Sequence, residues 1–143
     1  MEKITMSQVY VKDRKETKLQ FYINALELQV EITKYVMKEK IVPKKWRFAI
    51  GYDLVKKADL LVDFITMANS VYPSSWRELL IRKILQTLAV AMCFRLQNKL
   101  ILMEKCIETV KIEQMDKMIE LIAHEIELLK AWRKSSKIIK ENI

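Results

Sequence analysis

The sequence predicts an all-α protein, an antiparallel up-down four-helix bundle, on three observations. The residues that punctuate sheets and tight turns are nearly missing: one Gly and two Pro in 143 residues, of which 51% are hydrophobic. Polar residues recur every three or four positions over long stretches, the spacing of one solvated helix face. Both prolines, Pro43 and Pro73, fall between such stretches, where each removes an amide donor and pushes the residue before it out of helical geometry. Short connections then place successive helices antiparallel. The length suits a single domain that buries a core without disulfides or metals.

Residues 1–16 lack a helical period; Val9, Tyr10 and Val11 followed by Lys12, Arg14 and Lys15 read as an extended basic arm. The bundle occupies residues 17–135, and residues 136–143 form a basic tail. From Thr17 to about Glu39, the residues Gln20, Asn24, Glu27, Glu31, Lys34 and Lys38 mark the solvated face of the first helix. Two apolar stripes cover the rest, one of Leu19, Ile23, Leu26, Val30 and Met37, the other of Phe21, Ala25, Leu28, Ile32 and Val36. The second helix runs from about Lys45 to Val71. It turns Ile50, Leu54, Ala58, Leu61, Ile65 and Ala68 inward and Asp53, Lys56, Asp59, Asp63, Thr66 and Ser70 outward. Gly51 costs about 1 kcal/mol against Ala in a helix interior, so its presence points to a close helix crossing.

Ser75 to Glu78 fits a capping box that starts the third helix. Between Glu78 and Glu104 there is no acid at all, only Arg82, Lys83, Arg95 and Lys99 among apolar side chains. One stripe holds Ile81, Leu85, Leu88, Met92, Leu96 and Met103; a second holds Leu80, Ile84, Ala91, Phe94 and Ile101. A helix apolar over most of its circumference takes either a central position or a subunit interface. The interface is the expectation, with Ile81, Leu85, Leu88, Met92 and Leu96 on it. A weakly marked break at Thr109 to Lys111 precedes the fourth helix. That helix turns Met115, Ile119, Ile122, Ile126 and Leu129 inward and Glu113, Asp116, Glu120, Glu127 and Lys130 outward.

No constellation for catalysis is evident, so the chain is expected to be a non-enzyme without metal or cofactor. His124 is the only histidine. Near Glu120 and Glu127 it could in principle ligate a metal, but a dimetal bundle needs Glu-x-x-His on two helices and two further glutamates. A surface histidine among carboxylates is the better reading. Cys93 and Cys106 lie thirteen residues apart on one predicted helix, roughly 20 Å at the helical rise and too far to bridge. They read as buried thiols of a reducing compartment. The longest uncharged run, Phe64 to Trp76, has thirteen residues and contains Pro73, against about 20 needed to span a bilayer. With no apolar signal core either, the expectation is a cytoplasmic protein with no membrane partner.

The functional signal is cationic. With 26 basic and 18 acidic residues the net charge is +8, which favours an acidic partner. Lys44, Lys45 and Arg47 cluster at the first turn, Arg77, Arg82, Lys83, Arg95 and Lys99 lie along the acid-poor third helix, and Arg133, Lys134 and Lys137 close the chain. These are the candidate phosphate contacts, arginine being able to grip phosphate bidentately. By helical spacing those of the third helix do not share one face, so a single surface needs neighbouring copies. Trp46, Trp76 and Trp132 each adjoin a cation, a pairing used to stack bases, although aromatic residues at helix ends more often pack.

Pro43, Lys44, Lys45, Trp46, Arg47 and Phe48, followed by Gly51, Leu54 and Ala58, resemble the Pro-Lys-x-x-Arg-Phe turn and second helix of a family of small four-helix-bundle proteins. The family comprises the accessory variability determinant (Avd) of diversity-generating retroelements and the proteins encoded in large-subunit rRNA intervening sequences. Ile112 to Ile126, followed by Leu128, Leu129, Lys130, Ala131, Trp132, Arg133, Lys134 and Ser135, is similar to the Avd C-terminal helix. Lys130 and Ala131 stand where Avd relatives commonly carry glycine before the tryptophan. Met67 to Val71 lacks the Asn-Ile-Ala-Glu-Gly signature of the intervening-sequence proteins, which favours the Avd side. The resemblance implies a homopentameric barrel whose basic surface binds RNA, and DNA as cDNA forms, and docks a reverse transcriptase that performs the chemistry. The alternative is a helical oligomeric scaffold of the intervening-sequence type with no nucleic-acid role.

Overall fold

The computed structural model describes residues 19–140; the basic arm expected at residues 1–16 lies outside them. Five α-helical segments follow in order: α1 (Gln20–Val36), α2 (Lys44–Trp46), α3 (Tyr52–Ser70), α4 (Trp76–Cys106) and α5 (Asp116–Ser135). A π-helical turn, Arg47–Gly51, joins α2 to α3, and a 3-10 turn, Ile112–Met115, leads into α5. Since α2, the π turn and α3 run on without a break, the bundle has four long rods. They pack antiparallel in a ring, α3 on α4, α1 on α3, α4 on α5 and α1 on α5.

The core follows the inward stripes, except that Ile119, expected inward on the fourth helix, is exposed and Met118 is buried. Phe21, Ala25, Leu28, Ile32 and Val36 from α1 meet Leu54, Ala58, Leu61 and Ile65 from α3, with Met115, Met118, Ile122 and Leu129 on the opposite side. Full burial of a leucine-sized side chain contributes about 1.5–3 kcal/mol. Of the two stripes expected on the first helix, only this one faces fully inward; Ile23, Val30 and Met37 of the other are exposed. Gly51 marks the crossing that its presence suggested. A Cβ there would meet Val36 Cγ1 at 2.8 Å, closer than packed carbons approach.

Three local details differ from expectation. Asn24 is buried, because its Nδ2 donates to the Leu121 carbonyl at 2.9 Å and to Glu125 Oε1 at 3.0 Å. The Ser75 hydroxyl bonds the Glu78 carboxylate rather than a first-turn amide, so no side-chain cap closes the start of α4. The fourth helix is instead introduced by Gln114, whose Oε1 accepts from the Lys111 amide at 3.0 Å and from the Tyr35 hydroxyl at 2.8 Å. Among the described residues no helix is long and apolar enough to cross a membrane.

Candidate functional site

The candidate cations divide into two groups, and local packing decides which group each joins. Arg47 is drawn inside by the π turn, its Nη2 lying 3.5 Å from Glu39 Oε1. Lys99 Nζ lies 3.0 Å from Asp53 Oδ2, which Lys57 Nζ approaches at 2.7 Å from one turn away. Hydrogen bonds from these two ammonium groups hold the Asp53 carboxyl below the usual carboxylate range. Arg82 Nη1 donates to the Val71 carbonyl at 2.8 Å, while its guanidinium sits 5.2 Å from the Trp132 ring centroid. Trp132 in turn stacks on Phe21 at 3.9 Å. Lys83 Nζ donates to the Arg133 carbonyl at 2.9 Å, and Arg133 Nη1 to Thr87 Oγ1 at 3.1 Å. Arg82, Lys83, Lys99 and Arg133 therefore tie neighbouring helices together, and Arg47 ties its own turn to the connection after α1.

Lys44, Lys45, Arg77, Arg95, Lys134 and Lys137 are exposed. Lys45 Nζ lies 5.6 Å from the Trp46 ring centroid. Lys134 stands in the last turn of α5, where the negative end of the helix dipole favours a cation whether or not a ligand binds. Of the three tryptophans, Trp132 and Trp46 pack against the core and Trp76 stays exposed.

The expected interface stripe on α4 is displaced. Met92 and Leu96 are 6% and 0% exposed, inside the bundle, and Leu85 is half-buried. The register of α4 against α3 and α5 turns those positions inward. Ile81 and Leu88 remain outside, together with Leu80, Ile84 (51% exposed), Phe94, Ile101 and Leu102. At about 100° per residue Arg77 and Arg95 share this face, so cations bracket its apolar middle.

A buried acid escaped sequence reasoning altogether. Glu125 is 0% exposed at mid-bundle; its Oε1 accepts from Asn24, and its Oε2 has no hydrogen-bond partner among the described residues. Burial pushes its carboxyl up to about 8; burial, and secondarily the nearby Glu125, pushes the Cys93 thiol up as well. Its helical position among inward residues, three after Ile122 and four before Leu129, was the available signal. Phe48 and Tyr52 were also missed. They are exposed and edge-to-face, with centroids 5.4 Å apart at 87°. His124 is exposed, and among the described residues no group of three His, Cys, Asp or Glu side chains could hold a metal ion. Both cysteines are free; Cys93 is buried as expected, whereas Cys106, expected to be buried, is exposed in the last turn of α4.

No protein-family model, curated protein or solved structure matches the chain.

Proposed function

We propose that this chain is a non-catalytic, oligomeric, nucleic-acid-binding accessory protein of the Avd type, which partners a reverse transcriptase in the cytoplasm. The observation that carries the reading is the outer face of α4. Leu80, Ile84 and Leu88 are exposed in one patch, no acid lies between Glu78 and Glu104, and Arg77 and Arg95 stand on the same face. Apolar area of this kind is costly in water and is covered in an assembly. A homopentamer, as the resemblance implies, would bury that patch and gather Lys44 and Lys45 from several copies around one end of the assembly and Lys134 and Lys137 around the other. Many such cations side by side favour a polyanion with a repeating phosphate. Chemistry belongs to the reverse transcriptase, and this chain supplies electrostatic binding and geometry for template RNA and its cDNA.

The scaffold reading without nucleic acid has its own support, since five of the eleven candidate cations are held in contacts within the bundle. The two separate on binding of a structured RNA followed by fluorescence anisotropy at low and high salt. A salt-sensitive complex supports the accessory protein, and an oligomer indifferent to RNA supports the scaffold. Co-purification with a reverse transcriptase encoded beside the gene tests the partner.

A further inference from the structure

Phe48 is 66% exposed and Tyr52, one turn on, is 43% exposed. Large aromatic side chains gain from burial, so two on one open face need a reason. They stand at a π turn, Arg47–Gly51. The Tyr52 amide donates to the Arg47 carbonyl five residues back, and Arg47, Ile50 and Gly51 point inward. Phe48 and Ala49 are left outside. Turns of this kind sacrifice regular geometry and recur at functional sites.

The surroundings are cationic. Lys44, Phe48, Tyr52 and Lys56 follow one another at four-residue steps, and all four are exposed, with Lys45 beside the first. Acids along this stretch are engaged: Asp53 carries Lys57 and Lys99, Glu39 faces Arg47, and Asp59, one turn on from Lys56, accepts from Gln29. An apolar protein partner would cover the rings and gain nothing from the lysines. A nucleotide presents both a π face and a phosphate, and stacking of bases on aromatic rings beside a cationic track is how single strands are held without sequence preference. In a duplex the base faces are already stacked on their neighbours.

We propose that Phe48 and Tyr52 form a stacking platform for unpaired bases of single-stranded nucleic acid, with Lys44, Lys45 and Lys56 on the flanking phosphates. The inference rests on the nucleic-acid reading above and narrows its substrate class to single strands at this end of the bundle.

The test compares a fluorescein-labelled oligo(dA) of about twelve nucleotides with a duplex of the same length, titrated by anisotropy against the full chain and its Phe48→Ala and Phe48→Trp variants. Phe48→Ala is expected to weaken single-strand binding about tenfold, within the range for loss of one stacked base. Duplex affinity and the salt slope should stay as they are, and Phe48→Trp should bind the single strand at least as well as the parent. Equal losses on both probes, or none on either, overturn the platform and leave the wider reading standing. Failure of the parent chain to bind either probe at low salt overturns both. A lower mass by light scattering for Phe48→Ala would make the pair a subunit contact and overturn the platform as well.

Discussion

Glu125 and Asn24 meet in the middle of the bundle, the amide Nδ2 3.0 Å from carboxyl Oε1 and both side chains buried. A carboxylate there has lost its water for one neutral hydrogen bond, so the neutral acid is favoured and its pKa rises to about 8. In the unfolded chain the same group titrates near the ordinary 4.5. Between those two values the folded state holds a proton that the unfolded state has released, so stability falls as pH rises through this window. Thermal melts at pH 5, 7 and 9 should show a declining Tm. Glu125→Gln keeps the shape, removes the charge and should flatten that decline, gaining on the order of a few kcal/mol at alkaline pH. A Tm that rises from pH 5 to 9 in the parent would contradict the assignment.

Gly51→Ala is expected to destabilise although alanine is the better helix former by about 1 kcal/mol. The new Cβ would sit 2.8 Å from Val36 Cγ1, and Val36 is fully buried with no room to turn away. Overpacking typically costs about 1–3 kcal/mol, which outweighs the propensity gain. In a Val36→Ala background the clash is gone and Gly51→Ala should turn neutral or stabilising. Urea unfolding of the four variants forms the double-mutant cycle, and additive effects would refute the close crossing.

Lys83 caps the end of α5 through the Arg133 carbonyl. Lys83→Met should therefore cost about 1–2 kcal/mol and speed amide hydrogen exchange in the last turn of α5, with little change in α1. Charge reversal at Arg82 or Lys83 tests the fold as much as any ligand, and loss of RNA binding there carries no message about phosphate contacts.

The α4 face makes a prediction about assembly. Ile84→Glu introduces a charge at the centre of the exposed patch without touching the core. The parent should run as an oligomer by light scattering and the variant as a smaller species of unchanged helicity. A monomeric parent would leave the patch uncovered and remove the argument for a shared cationic surface.

Much of the fold was legible because helix periodicity and the two prolines are local signals. All six inward positions expected of the second helix, Ile50 to Ala68, are buried. What escaped depends on register between helices. α4 is apolar nearly all round, so its sequence does not say which side faces in, and the stripe with Met92 and Leu96 went to the core while Ile84 stayed out. Asn24 and Glu125 look like surface residues until each is seen to answer the other from 101 positions away. The cations show the same limit. Composition gives their number, but only packing separates Lys83, committed to a backbone carbonyl, from Lys134 and Lys137. The π turn that contains Phe48 leaves no trace in hydropathy.

The most direct measurement is the salt dependence of RNA affinity for the parent and for a variant with Lys44, Lys45, Lys134 and Lys137 all changed to Glu. All four are exposed, so helicity should survive. The account predicts a parent affinity that falls steeply with salt, with a log–log slope of about −0.7 to −0.9 for each phosphate neutralised, and a variant with weaker binding and a shallower slope. Equal affinity and slope for the two proteins, or a parent that binds no RNA at low salt, would contradict it.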